Sequence, residues 1–251
     1  MLLIAFAGLT ACGGGSTITS QQSPFPENQV TLNYGGFKLL YDCDLKSAIR
    51  FEYKLDRDTG NFSRPATFNF DLNLSKNCAQ QLTTSSYASV VSGWDRGHLV
   101  ASNHMDYEAA YLTSANYMTN IVPQLASFNQ GLWKETENIT ECYRDLAPIH
   151  VIGGVIYADT SNDFFVSSHG IKSPDYFWKT LITTNSSNQT ETISWLFPNQ
   201  NGLANLNYFI VSIDELELRV GADLIGLDLE NAIKLQKASK SWELPKNCLL
   251  D

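Results

Sequence analysis

Two polar blocks constrain this chain more than any other feature. The first is Trp94-Asp95-Arg96-Gly97-His98 and the second is Asn129-Gln130-Gly131-Leu132-Trp133-Lys134-Glu135-Thr136-Glu137. The fold must set a guanidinium and an imidazole beside each other, and then present a carboxamide and a carboxylate from a helical stretch. Arginine next to histidine is a poor choice for a core. It suits a phosphodiester, because the arginine can hold the anion while the histidine takes a proton from water.

The chain has 251 residues, of which 43% are hydrophobic and 17% charged. That is enough to bury a sizeable core and excludes global disorder. The formal net charge of −9 argues against a surface that coats nucleic acid broadly, since such surfaces are basic. An enzyme with a local cationic cleft on an acidic body remains compatible with it.

Met1 to Ala11 is apolar, uncharged and too short to span a bilayer, and reads as the end of a signal-peptide hydrophobic region. Leu9-Thr10-Ala11-Cys12 resembles a bacterial lipobox, which would attach the protein to a membrane through a lipid on Cys12. Residues 12–30 then read as the lipidated cysteine and a flexible Gly/Ser tether, and residues 31–251 as a single domain. The implied location is that of an exported lipoprotein, anchored at the outer membrane and facing the periplasm or the cell surface. Four further cysteines remain, Cys43, Cys78, Cys142 and Cys248. An even number in an exported chain points to two disulfides, with three possible pairings. Cys43–Cys78 with Cys142–Cys248 is favoured, because it keeps the first bridge within the N-terminal half. A zinc site fits poorly, since no two cysteines are closely spaced.

There is no internal repeat and no second composition block. Short alternations over Gly36–Tyr41 and Ile49–Leu55 read as strands. Ile149-His150-Val151-Ile152-Gly153-Gly154-Val155-Ile156-Tyr157 is the clearest buried strand, followed by Phe177–Ile182, Ile193–Phe197 and a short apolar run from Tyr208. Gln80 to Ser92 has room for a short helix, and Ile213 to Glu217 opens another. Asp95 to Asp106 reads as an irregular loop carrying functional side chains. Asn129 to Ala147 reads as one helix with Leu132, Trp133, Ile139, Tyr143 and Leu146 on its apolar stripe. The sum is an α+β fold with a central, mostly antiparallel sheet flanked by helices.

Phosphodiester hydrolysis needs a base for water, cations on the phosphate oxygens and charge to stabilise the leaving oxygen. His98 suits the first task and Arg96 the second; in extended backbone, positions i and i+2 face the same way. Gly97 between them lets another backbone come close. On one helix, Asn129 and Glu137 would be separated by a rise of about 12 Å and a rotation of about 80°. Asn129 is then a direct metal ligand, and Glu137 acts through metal-bound water. Such hard oxygen donors favour Mg²⁺ or Mn²⁺ over zinc. Asp95, His104 and Asp106 read as bracing residues, Trp133 as core, and His150 and His169 as non-catalytic. Arg50, Lys54 and Arg57 form either a solvated face or a phosphate track.

The ordered blocks Asp95-Arg96-Gly97-His98, Asn120-x-x-Pro123-Gln124, Asn129-Gln130-Gly131-x-Trp133-x-x-x-Glu137 and Pro174-Asp175-Tyr176-Phe177-Trp178-Lys179 resemble the DNA/RNA non-specific endonucleases. This ββα-metal, or His-Me finger, family includes secreted bacterial nucleases and mitochondrial endonuclease G. The resemblance implies cleavage of both DNA and RNA to 5′-phosphate ends. It assigns His98 as general base, Asn129 as the single protein ligand of the metal and Glu137 as the residue that orients metal-bound water. Arg96 becomes a phosphate contact, Arg64 an upstream catalytic arginine and Asn120 a supporting catalytic asparagine. A proteinaceous inhibitor belongs to the partners it implies. Where some members carry an arginine one turn after the glutamate, this chain has Glu141, which bears on substrate grip; Arg144 is the nearest substitute. The rival readings are a catalytically silent binding or envelope lipoprotein on the same fold, and a phosphodiesterase for small substrates.

Overall fold

The computed structural model describes residues 26–248 and 250. Its centre is a seven-stranded sheet, ordered β1-β2-β3-β6-β7-β8-β9, with every neighbouring pair antiparallel. These strands are β1 (Gln29–Asn33), β2 (Phe37–Asp42), β3 (Ser47–Leu55), β6 (Ile149–Ile156), β7 (Tyr176–Thr184), β8 (Thr190–Pro198) and β9 (Ile210–Val211). A separate ribbon pairs β4 (Trp94–His98) with β5 (Ile121–Leu125). The helical segments are α1 (Ala109–Ala115), α2 (Ala126–Phe128), α3 (Lys134–Arg144), α4 (Ile213–Val220), α5 (Ala222–Ile225) and α6 (Asn231–Lys234). The α+β expectation holds. No described helix is long and apolar enough to cross a membrane. The signal region, Cys12 and most of the tether lie outside the described residues, and β1 begins at Gln29, inside the segment read as tether.

Both faces of the sheet are covered, which explains why its central strands are nearly continuous apolar runs. On one face Phe51, Val151, Phe177, Leu181, Trp195 and Phe197 pack with Leu132, Trp133 and Ile139 beneath the α3 segment. On the other, Ile152 and Trp178 meet Ile213, Leu216 and Ile225 of α4 and α5. Alternate residues of β7, Phe177 and Trp178, therefore serve opposite cores. Burying one such aromatic ring contributes about 2–3 kcal/mol. The start of α4 is fixed by a capping box, in which Ser212 accepts from the Glu215 amide and Glu215 accepts from the Ser212 amide.

Both disulfides pair as favoured, Cys43–Cys78 and Cys142–Cys248. The second ties the end of α3 to the C-terminal segment.

Three local expectations need correction. Asp95 to His98 is not loop but strand β4, because its backbone pairs along the length of β5, with Arg96 opposite Pro123 and His98 opposite Ile121. A two-stranded ribbon has free edges, so the missing N–H of Pro123 is tolerated. The stretch from Asn129 is not one helix. Gly131, at φ −101 and ψ −114, breaks it into a wide turn over Asn129–Trp133 and the helix α3. Leu146 lies beyond α3 and is exposed, so it leaves the apolar stripe. The short helix for which Gln80 to Ser92 has room is a single 3₁₀ turn at Tyr87–Ser89.

Candidate active site

A cavity of about 600 Å³ opens where β4, the Asn129–Trp133 turn, α3 and the irregular segment around Arg64 converge. Its lining includes Arg64, Asp95, Arg96, His98, Asn129 and Glu137. Five of the six site candidates named from sequence thus meet in one place. Asn120 does not line it. That side chain is fully buried, donates to the carbonyls of Val100 (2.9 Å) and Ala115 (2.8 Å), and accepts from the Val100 amide (3.0 Å). It pins the segment leaving His98 to the end of α1.

The strand explains how Arg96 and His98 come to share the cavity, since they are alternate residues of β4. Gly97 between them faces Gln124 of β5; a Cβ there would lie 2.6 Å from the Gln124 Cβ. What comes close at Gly97 is therefore a side chain of the paired strand. The imidazole Nε2 lies 2.8 Å from Oδ1 of Asn116, the C-cap of α1, and 3.1 Å from Oγ of Ser102. With the Asn116 oxygen accepting, Nε2 carries the ring proton and Nδ1 keeps its lone pair, with no partner among the described residues. Partial burial, and the nearby Arg64 and Arg96 guanidinium groups, hold His98 down to about 3, against the pull of the Asn116 hydrogen bond. The ring is therefore neutral at pH 7.

Arg96 is fixed from two sides. It donates to the Thr84 carbonyl at 2.6 Å, and its guanidinium lies 3.9 Å above the ring of Phe68. The Phe68 ring centroid also lies 5.4 Å from that of His98, so one aromatic plane sets both groups. Arg64 is exposed on the cavity wall and makes no ion pair among the described residues.

Asp95 Oδ2 accepts from Asn129 Nδ2 at 2.9 Å and from Gln130 Nε2 at 2.8 Å. Asp95 thus braces the site through two side-chain amides rather than through backbone. Because the Asn129 amide nitrogen is committed to Asp95, its Oδ1 is the atom left to bind something else. Burial pushes the Glu137 carboxyl up, while Lys179, Arg64 and Lys134 draw it back toward the ionised form. Among the described residues no group of three or more His, Cys, Asp or Glu could cage an ion. A free carboxamide oxygen and one carboxylate suit a hydrated Mg²⁺ or Mn²⁺, which keeps most of its waters.

Of the other residues weighed from the sequence, Asp106 also lines the cavity, and the rest are placed elsewhere. His104 is fully buried, 2.8 Å from the Tyr53 hydroxyl and 3.2 Å from the Glu137 carbonyl, and so braces α3. Trp133 is core, and its indole N–H donates to the His98 carbonyl at 3.1 Å. His150 pairs with Glu52 at 2.8 Å. Arg50 pairs with Glu52 and Arg57 bonds the Asp145 carbonyl; neither they nor Lys54 line the cavity. Arg144 is buried against Glu141, Asp58 and the Asp56 carbonyl, so it does not take the place of the arginine that Glu141 displaces. Sequence reasoning missed Asn116, Phe68, Lys134 and Lys179. Only Lys179 left a signal, a charge in the middle of an apolar strand.

A model of the family described as DNA/RNA non-specific endonuclease matches residues 14–233. A nuclease of Serratia marcescens is 26% identical over 77% of this chain and 74% of its own length. Mitochondrial endonuclease G of Bos taurus is 26% identical over 52% of this chain, and the match spans 47% of its length. The chain thus spans about half the length of the mitochondrial relatives. Among solved structures, one of an EndoG/EndoGI complex superposes with a TM-score of 0.67 at 19% identity, covering 84% of this chain and 91% of that one. That likeness concerns the fold, and it agrees with the ββα-metal architecture expected from the motifs. The extent of the family match shows that the chain belongs to the DNA/RNA non-specific endonuclease family.

Proposed function

We propose that this protein hydrolyses phosphodiester bonds in both DNA and RNA, using His98 as general base and Mg²⁺ or Mn²⁺ as cofactor. The observation that carries this is the convergence of His98, Arg96, Arg64, Asn129 and Glu137 on one cavity. Two groups on its walls with free acceptor atoms, His98 Nδ1 and Asn129 Oδ1, are each fixed by a partner behind them.

In this scheme a water molecule gives a proton to His98 Nδ1 as its oxygen bonds to phosphorus. The P–O3′ bond breaks, leaving a 5′-phosphate, and the departing 3′ oxygen takes up a proton. Arg96 and Arg64 hold the non-bridging oxygens, whose charge grows in the transition state. Asn129 would hold the metal directly and Glu137 through a bound water, and the ion supplies positive charge for the leaving oxygen. Asn116 and Ser102 keep the imidazole in the tautomer that can accept a proton. Asp95 keeps the Asn129 oxygen turned outward.

The lipobox resemblance at Cys12 supports export and membrane anchoring. The EndoG/EndoGI complex supports a search for a protein inhibitor. Incubating the protein with plasmid and with single-stranded RNA tests the activity. Cleavage with Mg²⁺ is expected, no cleavage in EDTA, and a loss of about 10²–10⁴-fold for His98→Ala. Equal rates for wild type and variant would remove His98 from this role, and polynucleotide binding without cleavage would favour the silent reading.

A further inference from the structure

Lys179 is fully buried in the middle of β7, on the face that carries Phe177 and Leu181. The charge of Glu137 acts on it, yet among the described residues no carboxylate lies within ion-pair distance of it, and an ammonium so placed is costly compared with an apolar side chain. Its contacts show where it acts. The Nζ donates to Thr136 Oγ1 at 2.8 Å and lies 3.7 Å from the centroid of the Trp133 ring. Thr136 in turn donates to the Trp133 carbonyl at 2.6 Å, and the Trp133 indole donates to the His98 carbonyl at 3.1 Å. One buried cation thus touches both residues that tie the kink after Asn129 to the turn bearing Glu137, and through Trp133 it reaches the strand bearing His98.

We propose that Lys179 is a positioning residue of the site. Resting on the hydrolytic reading above, it locks the Trp133–Glu137 turn against β4 so that Asn129 and Glu137 address the same metal ion. An apolar residue would fill the space at lower cost but could neither reach the Thr136 hydroxyl nor hold the indole from below.

The test uses Lys179→Met, which preserves length, and Lys179→Gln, which keeps a donor for Thr136. Mn²⁺ binding to the metal-free protein is followed by electron paramagnetic resonance, thermal unfolding is measured in EDTA, and kcat is measured on plasmid DNA. For Lys179→Met, Mn²⁺ affinity and kcat are expected to fall about 10–100-fold. Its melting temperature should stay within a few degrees of wild type or rise, and Lys179→Gln should recover part of both losses. If Lys179→Met does not fold, Lys179→Gln carries the test with a smaller loss of Mn²⁺ affinity. Wild-type Mn²⁺ affinity and kcat in the folded variants would overturn the proposal. So would losses of activity that only track losses of folded protein. Wild-type protein that cleaves neither DNA nor RNA would sink the hydrolytic reading instead, while the Mn²⁺ measurement would still decide the role of Lys179.

Discussion

Asn120→Ala separates architecture from chemistry at this site. The side chain makes three hydrogen bonds and is wholly shielded from solvent. Truncation leaves the carbonyls of Val100 and Ala115 and the amide of Val100 without partners. Each buried group so orphaned costs about 1–3 kcal/mol. The vacated space can admit a water that recovers part of this, so the sum is about 3–5 kcal/mol, a large share of the ~5–15 kcal/mol that holds a typical domain together. For a domain of this size that lowers the melting temperature by about 6–20 °C. Urea unfolding in EDTA, followed by tryptophan fluorescence, should show the lower midpoint with an unchanged slope. Well below that midpoint, each folded molecule should keep activity within about tenfold of wild type, because Asn120 lies behind the cavity and not in it. A variant as stable as wild type but inactive would refute this reasoning and return Asn120 to direct contact with substrate.

Three further outcomes follow from the geometry. Asn116→Ala removes the acceptor that fixes the His98 tautomer and should lower kcat about 10–100-fold with a smaller change in KM, as steady-state kinetics on plasmid DNA would show; an unchanged kcat would mean that Ser102 alone suffices. His104 is held at about 3, chiefly by burial and then by Lys179 and Arg144. The unfolded chain takes up that proton near pH ~6.5 but the folded one only near 3, so the stability this neutral ring contributes is complete above pH ~6.5 and is lost as pH falls toward 3. Unfolding free energies measured across that window should therefore be less pH-dependent in His104→Gln, by about 1 kcal/mol per unit, and parallel curves would contradict the assignment. Replacing both Cys142 and Cys248 by serine opens a link across 106 residues and should cost about 2–5 kcal/mol in denaturant titrations. Neither residue lines the cavity, so activity on ice should be unchanged.

Some of this molecule is legible in its sequence because local physics and tertiary structure agree. Ile149–Ile156 is apolar throughout because both faces of β6 are covered, and Ser212 with Glu215 marks the start of α4 through a contact three residues long. Strand β4 was not legible as a strand. Only Trp94 and Gly97 of its five residues are buried, so it lacks an apolar alternation, and its pairing comes from a partner that contains a proline. The break at Gly131 was masked by good helix formers on its C-terminal side. The motif residues His98, Arg96, Asn129 and Glu137 were legible as a set because the chemistry needs those groups together, and Arg64 was legible only through the family resemblance. Of the residues that aim them, only Asp95 was read as a brace, and its partners were not legible. Asn116 meets His98, Phe68 meets Arg96, and Asp95 meets Asn129 through contacts made only by the folded chain. Asn120 carried a motif signature, and the structure shows that this signature coincides with a backbone clamp.

The central claim is that water, activated at His98, adds to phosphorus and expels the 3′ oxygen. Cleavage of plasmid DNA and RNA in heavy-oxygen water, followed by mass spectrometry of the new ends, tests it directly. The account predicts heavy oxygen on the 5′-phosphate of every cleaved bond in both polymers, and almost none formed by His98→Ala. Unlabelled cyclic phosphate from RNA, or label confined to 3′-phosphate ends, would contradict it.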